Sequence, residues 1–177
     1  MSKTALKKEL STFTGEELVK VILDVYDVSK EAKQYFEYFL HPNPDALLEK
    51  KVDIIAKEIN RAKRGYCKAR ISRIRAEIKE FESYGVGAEY VCRLMGYTLR
   101  MLTGEYAYVR YTDALLASVC KFTAEIVVYA NKHEMLSQMM SEINSLASSQ
   151  LGTPNFRRMV LNAATEAMEN LASGMKK

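Results

Sequence analysis

The chain has 177 residues, 48% of them hydrophobic and 27% charged, with a formal net charge of +4. That balance excludes wholesale disorder and leaves enough apolar side chain for a real core. Three prolines and eight glycines are too few for the frequent turns of an all-β fold, and the mild positive charge permits an anionic partner without requiring one.

Ser2 caps a short first helix over about residues 4–10. Thr14-Gly15-Glu16-Glu17 has the spacing of a capping box, and Leu18, Val21, Ile22, Val25 and Tyr26 follow at helical spacing. Ser29 either starts a new helix or sits in a continuing one. Ala32, Tyr35, Phe36 and Phe39 supply the next apolar stripe, ending at Leu40. His41-Pro42-Asn43-Pro44 breaks the chain, because a proline bars helical geometry in the residue before it. Asn43 as N-cap and Pro44 as first helical residue start a helix whose stripe of Leu47, Leu48, Val52, Ile55, Ile59 and Ala62 runs to about Arg64.

Gly65 either kinks that helix or separates it from the next, which carries Cys67, Ile71, Ile74, Ile78 and Phe81 on one face. Tyr84-Gly85-Val86-Gly87 supplies a glycine stop. Residues 88–102 form a further helix, with Gly96 a point of close packing. Residues 103–111 read as either loop or helix. Thr112 or Asp113 caps an apolar helix to about Asn131, residues 132–134 form a joint, and 135–148 are helical again. Thr153 and Pro154 open a last helix that fades at Gly174.

The expectation is an all-α fold of seven or eight helices over residues 1–177 as a single domain. Periodicity leaves open an irregular antiparallel bundle or a short α–α superhelix. Leu18, Ile22, Phe36, Ile55, Ile71, Ile74, Leu94, Leu115, Val119 and Ile126 are the expected core. Nothing approaches the roughly 20 uncharged apolar residues of a membrane span, and the N-terminus lacks the apolar stretch of a secretory signal. Cys67, Cys92 and Cys120 lack the close pairing of a disulfide or zinc framework. They read as reduced core thiols of a cytoplasmic protein.

The main candidate for function is basic. Arg61, Lys63, Arg64, Lys68, Arg70, Arg73 and Arg75 occur with no acidic residue between Asn60 and Glu77. On a continuous helix Arg61, Arg64, Lys68 and Arg75 share a narrow arc. Such a row can follow a phosphate backbone with Tyr66 stacking nearby, dock an acidic partner helix, or simply be a solvated face. A second cluster, Tyr106, Tyr108 and Tyr111 with Arg110, has the composition of a binding hot spot, or of a loop closing over a core with its hydroxyls in water. Met135, Met139 and Met140 suit a core stripe better than an adaptable surface. His41 and His133 have no metal-spaced partners, and no phosphate loop or nucleophile elbow exists. Neither a catalytic residue, a metal site nor a cofactor is expected.

The N-terminal third reads Ser2-Lys3-x-x-Leu6-Lys7-Lys8-x-Leu10, Glu16-Glu17-Leu18, Ile22-Leu23-Asp24-x-Tyr26, Ala32-Lys33-x-Tyr35-Phe36 and Asn43-Pro44. In this it resembles a family of small bacterial proteins, many of Bacteroidetes type, catalogued only as a domain of unknown function. The motif consists of caps and core positions over residues 2–44. It implies a helical fold and a bacterial cytoplasmic origin, and it carries over no catalytic or binding residue. The resulting expectation is a non-enzymatic helical interaction or scaffold protein whose contact surface is the basic face around residues 61–75. A protein partner comes first; the alternative is a nucleic-acid-associated module that tracks phosphates with the same face.

Overall fold

Local capping explains where the helices of the first 43 residues begin. The computed structural model describes residues 1–174. Helix α1 spans Lys3–Leu10, with the Ser2 hydroxyl accepting from the Ala5 backbone N–H at 3.2 Å. Helix α2 spans Gly15–Val28 behind a full capping box. The Glu17 N–H donates to Thr14 Oγ1 at 3.3 Å, and the Thr14 N–H donates to Glu17 Oε2 at 2.7 Å. Ser29 ends α2 and caps α3, Lys30–Leu40, by accepting from the Ala32 N–H at 3.1 Å. Helix α3 therefore starts a new element at Ser29.

These helices form one of two compact units, residues 1–43; the other starts at Pro44. Helices α2 and α3 pack on each other, and the Tyr35 ring stacks on Phe39 at 6.1 Å. Yet no residue of α1, α2 or α3 is buried. Leu18 and Phe36 are half-buried and Ile22 is 43% exposed, so three of the expected core positions are not core. Their spacing is right for an apolar face, but three short helices have too little volume to enclose one.

The second unit begins with α4, Pro44–Ile59, followed by strands β1, Ala62–Lys63, and β2, Tyr66–Cys67. Helices α5 (Ile71–Ser83), α6 (Ala88–Glu105), α7 (Asp113–Lys132), α8 (Leu136–Ala147) and α9 (Pro154–Ala172) complete it. The described residues thus hold nine helices and a two-stranded hairpin, not seven or eight helices alone. Helix α4 packs on α5 and α6, and α7 packs on α6, α8 and above all α9. Ile55, Ile74, Phe81, Leu94, Leu99, Phe122, Ile126 and Phe156 are almost fully buried between them. All seven core residues expected in this part, from Ile55 to Ile126, are buried. Thr112 caps α7 and Thr153 caps α9, with Pro154 in its first turn.

The helix expected to continue through Arg64 ends at Ile59. Arg64 (φ 55°) and Gly65 (φ 78°) both take left-handed backbone, which is the two-residue turn that matches strand twist. Lys63 pairs with Tyr66 and Ala62 with Cys67 across it. Between Arg61 and Arg70 only Ala62, Tyr66, Cys67 and Ala69 are apolar, so a helix there would have had little face to bury. Cys67 alone turns inward, its thiol donating to the Ile59 carbonyl at 3.5 Å.

Charged staples complete the packing. Lys51 is buried and holds Glu77 at 2.7 Å and Glu80 at 2.9 Å. No helix among the described residues is long and apolar enough to cross a membrane.

Candidate functional site

The hairpin breaks the expected basic row into three groups. Arg61 and Arg70 converge on Glu58 of α4. Arg61 Nη1 donates to Glu58 Oε1 at 2.8 Å, while Arg70 Nε and its backbone N–H reach the same oxygen at 3.0 and 3.1 Å. The Arg70 guanidinium, aided by Arg61, holds the Glu58 carboxyl down at about 2 against the opposing effect of burial. Arg73 joins Arg61 and Arg70 along a groove of about 440 Å³ between α4 and α5 that also presents Glu58 and Glu77. Arg75 leaves this group altogether: its guanidinium makes a two-pronged bond to Glu125 of α7 at 2.6 and 2.9 Å. The continuous arc of Arg61, Arg64, Lys68 and Arg75 does not form, because it required the helix that the hairpin replaces.

Arg64 and Tyr66 belong to the third group. Across from them lies the segment between α6 and α7. Arg110 donates its backbone N–H to the Gly65 carbonyl at 2.9 Å, and its own carbonyl accepts from the Cys67 N–H at 2.9 Å. Arg110 and Tyr66 thereby form a parallel bridge. Between hairpin tip and loop runs a groove of about 650 Å³ lined by Arg64, Tyr66, Tyr106, Tyr108, Val109 and Arg110 among others, with no carboxylate in its walls. Lys63, Arg64, Lys68 and Arg110 make no ion pair among the described residues.

The three tyrosines divide by role. Tyr111 is core: its ring packs edge-on to Phe156 at 5.7 Å, and its hydroxyl donates to the Leu102 carbonyl at 2.8 Å. That hydroxyl is satisfied inside the protein instead of in water, and burial pushes its acidity strongly down, its pKa rising. Tyr106 is half-buried and stacks on Phe156 at 4.5 Å, anchoring the loop. Tyr108 is 82% exposed. The structure thus joins two features that the sequence presents separately, the tip of the basic run and the tyrosine–arginine loop.

The remaining candidates are quieter. Met139 is core, with Met135 and Met140 half-buried. His41 is exposed; His133 stacks near Tyr129 at 4.4 Å with a buried Nε2 that has no hydrogen-bond partner among the described residues. Among the described residues no three His, Cys, Asp or Glu side chains gather as a metal site would need. Cys67 and Cys92 are buried free thiols, and burial pushes Cys92 up to about 11, which removes it from thiolate chemistry at neutral pH.

Residues 1–169 match the model of a family of unknown function (DUF6155), and the chain belongs to that family. The likeness visible in the N-terminal third therefore extends over nearly the whole chain. No curated protein and no solved structure matches it.

Proposed function

For this member of a family whose description leaves its role open, we propose a non-enzymatic helical interaction protein that docks a protein partner at the hairpin tip. One observation carries the reading: Arg64, Tyr66, Tyr108 and Arg110 meet in one groove, from two segments far apart in sequence, without spending their charge internally. Arginine and tyrosine are the residues that dominate binding energy at protein interfaces. The surrounding helices supply a rigid support, and the backbone bonds between Gly65, Cys67 and Arg110 fix the two walls before any partner arrives. The proposal places the protein in the cytoplasm, where thiols such as Cys67 and Cys120 stay reduced.

The nucleic-acid reading retains support from the unpaired cations Lys63, Arg64, Lys68 and Arg110. It is weakened by the engagement of Arg61 and Arg70 with Glu58, and of Arg75 with Glu125. Affinity capture with the intact protein and with an Arg64→Glu/Arg110→Glu variant tests both readings. A partner that survives nuclease treatment and is lost by the variant supports protein docking. Material that disappears on nuclease treatment moves the assignment to nucleic acid, and identical capture by both proteins removes the groove from consideration.

A further inference from the structure

The chemistry of the groove also constrains its occupant, on the protein-docking reading above. Its walls include two arginines and two accessible tyrosines, Tyr66 being 38% and Tyr108 82% exposed. No carboxylate lines it, and neither Arg64 nor Arg110 makes an ion pair among the described residues. Arg64 adds a second indication. It holds left-handed backbone at φ 55°, a conformation that usually falls to glycine, asparagine or aspartate at this turn position. Its side chain makes no ion pair within the described residues.

We infer that the groove binds an acidic peptide segment of a partner protein. Arg64 and Arg110 hold two of its carboxylates from opposite walls, and Tyr66 and Tyr108 cover its non-polar atoms. Charge complementarity selects an acidic ligand. The break in the basic row then favours peptide over nucleic acid. Phosphate-backbone affinity grows with each phosphate neutralised and needs a row of cations, but the row is interrupted wherever Glu58 and Glu125 claim an arginine. Two carboxylates need only two guanidiniums, and each charge-assisted pair is stronger than a neutral hydrogen bond. The two walls, a hairpin turn on one side and the turns of residues 106–109 on the other, are tied together where Arg110 bonds Gly65 and Cys67 at 2.9 Å.

Fluorescence anisotropy with a labelled oligo-glutamate peptide containing one tyrosine tests this on the full chain, with oligo-lysine peptide and oligo-deoxythymidine as comparators. The expected result is binding of the acidic peptide, weakened about ten-fold or more by Arg64→Glu/Arg110→Glu, a change equivalent to about 1.4 kcal/mol. Tyr108→Ala, whose ring is too exposed to affect folding, weakens it about three-fold or more. Lys79→Glu, an exposed charge on α5 outside the groove, leaves it unchanged. Equal losses from Lys79→Glu and the groove variants, or no binding of the acidic peptide, overturn the inference. Tighter groove-dependent binding of oligo-deoxythymidine than of the peptide overturns it in favour of nucleic acid. Failure here while partner capture still depends on Arg64 and Arg110 removes the acidic-peptide class alone; failure of both removes the docking reading as well.

Discussion

Residues 1–43 and the unit beginning at Pro44 are made from the same material, capped amphipathic helices, and reach different ends. From α4 onward the apolar faces meet one another, and Phe81, Phe122 and Phe156 are at most 1% exposed. In α2 and α3 the faces are equally regular, but Ile22, Val25, Tyr35 and Phe39 of those faces stay exposed and nothing is buried. Periodicity states which face of a helix is apolar. Whether that face is covered depends on how much other surface is at hand, and helix propensity with good caps contributes little against chain entropy by itself.

The strongest way to break this contrast is to delete apolar volume in each unit. Phe122→Ala leaves a cavity among α7 and its neighbours and is expected to cost about 3–5 kcal/mol. Ile22→Ala removes a side chain that is 43% exposed and is expected to cost less than about 1 kcal/mol. Denaturant titrations followed by circular dichroism measure both. Comparable losses would mean that Ile22 is covered in solution and that the contrast is wrong.

Two glycines sharpen the contrast through the backbone. Gly152 has φ 61°, and a Cβ there would collide with the Thr103 carbonyl oxygen, a backbone atom that cannot yield. Gly152→Ala is expected to destabilise by about 2–4 kcal/mol, combining conformational strain and overpacking. Gly15 opens α2, and a methyl group added to it would meet nothing within 4 Å. Gly15→Ala is expected to gain about 0.5 kcal/mol of helix stability by propensity alone. A thermal midpoint unmoved by Gly152→Ala would show that the turn before α9 relaxes freely.

Carboxylates give a pH dependence to the second unit. Glu58 titrates at about 2 instead of 4.5, so its ion pairs contribute stability that is complete above pH 4.5 and is lost as pH falls through 2. Glu58→Gln is expected to cost about 1–3 kcal/mol at pH 7, and the gap from the unaltered protein narrows between about pH 5 and pH 2. A gap that stays constant down to pH 2 would mean that Arg61 and Arg70 do not hold the carboxylate. Glu17 is likewise shifted down, by the Thr14 backbone N–H first and its hydroxyl second, so the α2 cap also loosens in acid.

Much of this was legible in the residues. Ser2, Thr14, Ser29, Thr112 and Thr153 mark helix starts because a hydroxyl placed before an apolar stripe satisfies free N–H groups locally. The core from Ile55 to Ile126 followed from spacing. The hairpin did not, because its two-residue turn uses Arg64 where the usual sequence has asparagine or aspartate before glycine. The candidate groove was half legible: Arg64, Tyr66 and the Tyr106–Arg110 cluster each stood out, but their meeting is a long-range pairing with no local signature. The loss of Arg61 and Arg70 to Glu58 had one visible cue, the three-residue spacing from Glu58 to Arg61. The bond from Arg75 to Glu125 had none.

The smallest effect is the most discriminating, because it applies one chemistry to both units. Thr14 caps α2 by accepting from the Glu17 N–H, and Thr112 caps α7 by accepting from the Leu115 N–H, both at 3.3 Å. Replacing either with alanine is expected to cost about 1 kcal/mol. In α7 that loss is spread over a cooperative core, so Thr112→Ala lowers the global unfolding free energy and leaves its cooperativity intact. In α2 no buried side chain resists local opening, so Thr14→Ala speeds amide exchange there by about five-fold and leaves amides of α4 to α9 unchanged. Native-state hydrogen exchange reads both variants in one experiment. If Thr14→Ala instead shifts the global midpoint as much as Thr112→Ala does, the first 43 residues unfold together with the rest. Burial would then be the wrong guide to where the cooperative unit of this protein begins.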